Sequence, residues 1–278
     1  MSLFKNIFND RVSGSGSLLK KLEDELLFHG SSNEIINLPE LIDDLQKLKN
    51  TFPQFALFHH FITELLNFLS PERDTLYGKQ LTTFVHAYKE KWNRSQNRAA
   101  EQLLQQISLD KKNVLVHSNS SAIFCLAKLL SERNEKTIFW QTLSSPANEG
   151  KIQAQKIRNL HFDVHLFHED ALSKFIHQID LAIFGADFIS DTFFINKTGS
   201  FALSLIMQHF HKPVYVLAET RKFIPVKEAQ NIMDEAPKPP QEIATGMNDI
   251  QVYNYYFESI PLSFTDKIFT EQEPFMKF

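Results

Sequence analysis

Three short stretches hold the residue types that could do chemistry. His117-Ser-Asn-Ser-Ser121 sets hydroxyl and amide side chains at consecutive positions, donors and acceptors enough to grip a polar ligand. Ser and Asn also cap helices regularly, so its bland reading is an N-cap, although the run exceeds what one cap requires. Gly185-Ala-Asp187 offers a single carboxylate. It could accept a proton or bond sugar hydroxyls, or it could be an ordinary turn residue. Asn196-Lys-Thr-Gly-Ser200 combines a good capping residue, a cation and a glycine. A lysine in the first turn of a helix opposes the macrodipole unless an anion sits there. In that case free backbone N–H groups and the ammonium converge on one phosphate, and Gly199 lets the backbone approach closely.

These stretches need elements to hold them. Short apolar runs rich in β-formers occur at 114–117, 137–141, 163–167, 180–185 and 213–219, and amphipathic stretches of helical length at 122–132, 149–160, 171–178 and 199–210. Strand and helix in alternation predict parallel βαβ units, hence an α/β, Rossmann-like, doubly wound parallel sheet. Ligands of such sheets bind beyond the carboxyl ends of the strands, where all three stretches fall. A Pro-rich loop follows at Ala236-Pro-Lys-Pro-Pro240, then an expected last strand at 250–253 and a helix at 264–270. Before residue 112 the apolar positions recur at three and four: Leu18, Leu22 and Leu26, then Leu41, Leu45 and Leu48, then Phe58, Phe61 and Leu65. That rhythm predicts a helical bundle, with Pro53 at a helix start. The expected domains are 1–111, helical, and 112–278, α/β.

Bulk properties narrow the function classes. The 278 residues are 43% hydrophobic and 22% charged, ordinary for a water-soluble protein, and the 26 Phe are dispersed enough to be core filler. A net charge of −4 gives no general attraction to nucleic acid or anionic membrane, so neither is expected as a direct partner. The single cysteine, Cys125, excludes an internal disulfide and a Cys-based metal cluster, and it sits among apolar neighbours as a core thiol would. No apolar run resembles a signal peptide or reaches the roughly 18 residues of a membrane span. A cytoplasmic location follows as the expectation. Ser13-Gly-Ser-Gly16 lacks the preceding strand and third glycine of a dinucleotide fingerprint, and His165 and His168 alternate across a strand rather than converge on a metal. Neither cofactor nor metal is expected.

Taken together, the stretches resemble one family. Gly185-Ala-Asp-Phe-Ile-Ser, Ile195-Asn-Lys-Thr-Gly-Ser-Phe-Ala and Pro213-Val-Tyr-Val-Leu-Ala-Glu-Thr-Arg-Lys-Phe223 are similar to segments of the initiation factor 2B alpha, beta and delta subunits. The same superfamily holds methylthioribose-1-phosphate and ribose-1,5-bisphosphate isomerases. The tail Val252-Tyr-Asn-Tyr-Tyr-Phe-Glu-Ser-Ile-Pro and Asp266-Lys-Ile-Phe-Thr-Glu271 fits its closing segment. The resemblance implies a homodimer formed through the C-terminal domain and a sugar-phosphate or nucleotide pocket at the strand ends. Asp187 falls at the isomerases' carboxylate, Asn196 and Lys197 at substrate contacts, and Lys222 at a lysine of the ribose-bisphosphate branch. Ser118, Asn119, Ser120 and Gly199 complete the expected ligand-binding set.

The departures from the pattern are as informative. The isomerase thiol falls at Ser118, and a hydroxyl cannot easily replace a thiol whose pKa is roughly 8.5. Two phosphate-anchoring arginines fall at Ser13 and at Ser145, the latter just before Pro146 and Gly150. Three replacements together imply a non-catalytic regulatory or scaffold member. The alternative is an aldose–ketose isomerase of a phosphorylated ribose-type sugar, with Asp187 as its catalytic residue.

Overall fold

The computed structural model describes residues 3–10, 14–31, 35–69, 76–225, 232, 235, 237–246 and 249–272. Contacts divide the chain into two compact units, Met1–Asn93 with Gln230–Asp234, and Arg94–Ala229 with Glu235–Phe278.

In the first unit, four longer helices carry the periodic apolar stripes: α1 (Ser15–Ser31), α2 (Leu38–Thr51), α3 (Ala56–Phe68) and α4 (Gly78–Lys91). Leu18, Leu22 and Leu26 lie on one face of α1 and are buried, as their spacing demands. Phe61 is the hub of an aromatic core, meeting Tyr88 edge-on at 4.8 Å and Phe84 at 5.5 Å between ring centroids. Helix α2 begins where Asn37 accepts from the Glu40 N–H at 3.3 Å, with a proline in the first turn. Pro53 does not start a helix. It lies in the turn ahead of α3, whose N-cap is Phe55.

The second unit begins with α5 (Ser95–Gln106), a helix that spacing alone grouped with the helical half. Its buried Ala99, Ala100 and Leu103 belong to the same core as Val114, Val116 and Ile123. The change of rhythm at 112 and the change of core at 93 therefore fall at different places, because periodicity reveals a helix and not the core that it covers.

Six parallel strands follow: β1 (Asn113–Val116), β2 (Ile138–Thr142), β3 (Asp163–Phe167), β4 (Leu181–Phe184), β7 (Val214–Leu217) and β9 (Lys267–Phe269). Their order in the sheet is β9-β7-β4-β1-β2-β3, every neighbour parallel. This is the doubly wound arrangement, and its order reverses between β1 and β4. Helices α6 (Ser121–Glu132), α7 (Gly150–Arg158) and α8 (Ser200–His209) connect the strands. Val114 and Val116 enter one core and Leu115 the core on the opposite face, so both faces of β1 are covered.

A smaller antiparallel sheet, β8-β6-β5, was not anticipated: β5 (Phe188–Ile189), β6 (Phe193–Lys197) and β8 (Phe257–Pro261). It corrects two expectations. Residues 251–255 form no strand, and 264–270 form not a helix but a short 3-10 turn, Leu262–Phe264, followed by β9. Short apolar runs do not distinguish helix from strand by spacing, and β8 exists only through its pairing with β6, about sixty residues earlier in sequence.

Candidate functional site

The loops after β1 and β4 meet where the strand order reverses. A Cβ placed on Gly185 would lie 2.4 Å from Ser120 Oγ, so only glycine allows this approach. Ser120 is the N-cap of α6, its Oγ accepting from the Ile123 N–H at 3.5 Å. Asn119 accepts from the exposed Lys156 ammonium at 3.2 Å, on the surface. Ser118 sits at a left-handed φ of 67°. That elbow directs its N–H to Ser144 Oγ at 2.7 Å and its hydroxyl to Glu149 Oε1 at 3.3 Å.

His117 locks this corner. Its Nδ1 meets Thr142 Oγ1 at 2.5 Å and its Nε2 meets the Thr198 carbonyl at 3.0 Å. A carbonyl only accepts, so Nε2 carries the proton and Nδ1 accepts from the threonine hydroxyl. Complete burial lowers the His117 pKa to about 4, so the ring is neutral at neutral pH. One side chain thereby joins the ends of β1 and β2 to the turn that follows β6.

Lys197 corrects the sequence reading most sharply. Asn196 and Lys197 end strand β6, and the N-cap of α8 is Gly199 at φ 106°. Lys197 is therefore not in the first helical turn. Its side chain is 2% exposed, 3.3 Å from Glu149 Oε1, with the ammonium 4.1 Å from the centroid of the Tyr256 ring. The contact with Glu149 is one of charge rather than an aligned hydrogen bond. Burial pushes the Lys197 pKa down and the Glu149 pKa up, each shift opposed by the partner's charge. Asn196 is not a cap either; its Nδ2 donates to Ser200 Oγ at 2.9 Å.

The anion expected at the N-terminus of α8 is supplied by the chain itself. Glu258 Oε1 accepts from the Gly199 N–H at 2.8 Å and from the Phe201 N–H at 2.7 Å. Strand pairing places it there, since Glu258 lies opposite Asn196 in the β8–β6 register. Burial raises the Glu258 pKa, and the two N–H donors oppose that rise.

Of the expected residues, Ser118 and Lys197 converge on Glu149. Asp187 follows β4 and its N–H donates to the Ile195 carbonyl at 2.8 Å, beside Asn196 across the β5–β6 hairpin. Lys222 is buried, and its ammonium donates to the carbonyl of Ala186, next to Asp187. Ser145 offers its N–H to Glu169 Oε1 at 2.6 Å. Ser13 lies outside the described residues. Sequence reading missed Glu149, Glu258, Tyr256 and the role of His117. Glu149 had a signal, since it stands beside Gly150 in the loop marked for its lost arginine. Glu258 had none before its pairing was known.

The fold and this corner define a doubly wound α/β unit with a cluster of buried and half-buried polar side chains at the sheet's switch point. The chain belongs to the Initiation factor 2 subunit family, whose profile matches residues 20–273. A putative translation initiation factor eIF-2B subunit 2-like protein of Pyrococcus horikoshii is 24% identical over 98% of this chain and 94% of its own length. Ribose 1,5-bisphosphate isomerase of Methanocaldococcus jannaschii is 28% identical over 58% of this chain. That match spans about half the relative's length, 54%. Among solved structures, translation initiation factor eIF-2B of Pyrococcus horikoshii OT3 superposes with a TM-score of 0.79 at 21% identity, covering 97% of this chain and 94% of that one. A 5-methylthioribose 1-phosphate isomerase of the same organism gives 0.74 at 18% identity, covering 97% and 82%. At such identities these structures establish the shared fold. Among the described residues no helix is long and apolar enough to cross a membrane.

Proposed function

We propose that this chain is a non-catalytic regulatory or scaffold protein of the initiation factor 2B type, cytoplasmic and homodimeric through its C-terminal unit, with a small-ligand pocket retained at the strand ends. The carrying observation is Ser118. The resemblance puts the isomerase thiol at this position, and here a hydroxyl spends its proton on Glu149. The one cysteine is buried in α6, where burial raises its pKa, so it supplies no thiolate at neutral pH. Proton movement between adjacent sugar carbons therefore lacks its second group.

A second reading, an aldose–ketose isomerase of a ribose-type phosphate, draws on the gathering of Asp187, Asn196, Lys197 and Lys222. Phosphorus NMR of ribose 1,5-bisphosphate and methylthioribose 1-phosphate incubated with the chain separates the two. No conversion is expected, nor any from Ser118→Cys. Turnover that is abolished in Asp187→Asn would establish the isomerase instead. A monomeric mass in light scattering at micromolar protein would refute the dimer.

A further inference from the structure

The Lys197 ammonium is shut away from water, and Tyr256 is the side chain that stands over it. Lys197 Nζ is buried without an aligned hydrogen bond, 4.1 Å from the centroid of the Tyr256 ring. Tyr256 is itself buried, and its main chain is fixed. Its carbonyl accepts from the Thr198 N–H at 2.8 Å, its N–H donates to Glu235 Oε2 at 3.1 Å, and strand β8 begins at the next residue. The far end of the ring is held by its hydroxyl, which donates to Glu242 Oε2 at 2.7 Å. Burial, and then the neighbouring carboxylate, raise the Tyr256 pKa, so the phenol keeps the proton that it donates.

Glu242 belongs to a segment with little apolar anchorage. Residues 237–246 are exposed or half-buried throughout. Their attachment is polar. The Lys238 N–H donates to the Asn254 carbonyl at 2.8 Å, and the buried Asn254 donates from Nδ2 to the Pro239 carbonyl and to Glu242 Oε2, both at 2.8 Å. Lys238 also pairs with Glu235 at 3.4 Å. Bonds at the surface exchange for bonds to water at small net cost, and segments with few buried apolar side chains open before the whole fold does. A buried ammonium without an acceptor gains hydration once uncovered, which offsets the loss of its contact with the ring. Both terms make release of the ring a local event.

We propose that Tyr256 is a gate over Lys197, latched shut by Glu242, and that release of the latch lets the ring swing aside and admits water and small solutes to the Lys197–Glu149 pair. The proposal deepens the reading of this corner as a ligand pocket and rests on it for what enters, whereas the gate itself is measurable with no ligand present.

Acetylation of the full chain by an N-hydroxysuccinimide ester at neutral pH, followed residue by residue by peptide mass spectrometry, tests it. Lys222, buried in the same unit with its ammonium on the Ala186 carbonyl, is the comparator for opening of the fold as a whole. Tyr256→Phe removes the latched hydroxyl and keeps the ring. It should acetylate Lys197 about tenfold faster than the unaltered chain does, the size of one hydrogen bond to a carboxylate, with Lys222 unchanged. Glu242→Ala, at an exposed position, should have the same effect. An unchanged Lys197 rate in either variant overturns the gate, as does a rise at Lys222 that matches the rise at Lys197. Absence of calorimetric heat with ribose 5-phosphate from both the unaltered chain and Tyr256→Phe would sink the pocket reading and leave the gate standing.

Discussion

Two arms of the same corner differ in how they match the family pattern. The arm formed by β4, β6 and the 222 turn keeps Asp187, Asn196, Lys197 and Lys222, whereas the arm formed by the loops after β1 and β2 carries Ser118 and Ser145 where the resemblance implies a thiol and an arginine. The structure gives the reason. Lys197 neutralises the half-buried Glu149, Lys222 fills the Ala186 carbonyl, and Asn196 bonds Ser200. Removing Lys197 or Lys222 would leave a buried polar group without that partner, whereas Ser200 would keep its bond to the Lys197 carbonyl, so fold stability is a sufficient reason to retain the two lysines. Ser118 and Ser145 make contacts that a small hydroxyl satisfies. Survival of Asn196, Lys197 and Lys222 is thus weak testimony for chemistry.

The comparison can be broken most directly at Lys197. Lys197→Met should destabilise the chain by about 2 kcal/mol in urea unfolding, because the half-buried Glu149 is left without its cation. Glu149→Gln in the same background should recover part of that loss. A change below about 1 kcal/mol in the single variant would show that the lysine is kept for something other than the fold.

His117 comes next. Its folded pKa, about 4, lies below the ordinary value of 6.5, so the group contributes stability above pH 6.5 that is lost as pH falls toward 4. A shift of that size corresponds to about 3 kcal/mol across the window. His117→Asn should flatten the stability-against-pH curve of the unit by nearly one proton between these limits. An unchanged slope would mean that the ring is not held neutral. Glu149 and Glu258 act with the opposite sign: their raised folded pKa values give stability that is present at low pH and lost as pH rises through them.

Glu258→Ala should cost about 1 kcal/mol, the usual worth of a capping carboxylate at a helix N-terminus. It should also let inorganic phosphate raise the melting temperature of the variant and not of the unaltered chain. Equal responses to phosphate would show that Glu258 does not block that terminus. The smallest effect is expected at Ser118→Ala, about 0.5 kcal/mol in unfolding, for a single 3.3 Å hydrogen bond to a carboxylate that keeps its lysine.

Much of the frame was legible in the residues. The runs at 114, 138, 181 and 214 each became a parallel strand, since strands covered on both faces must be apolar at successive positions, and the more polar run at 163 became the exposed edge strand. Sheet geometry then required the 117 and 185 stretches to meet at one edge, whereas the 196 stretch reaches them from the smaller sheet. What could not be read was the set of partners. Lys197 looked like the opening residue of a helix and is the end of a strand, because β6 is created by pairing with β5 and β8 rather than by local preference.

The sequence by itself determined the alternation of strand and helix, the apolar stripes of the bundle and the absence of a thiol at position 118, all of them local properties of spacing and residue type. Only the tertiary structure decided that a carboxylate from β8 fills the terminus of α8, that Glu149 stands between Ser118 and Lys197, and that α5 covers the second core. Such partners are chosen by proximity between segments distant along the chain. Electrostatics and desolvation act on that proximity, and spacing along the chain does not encode it.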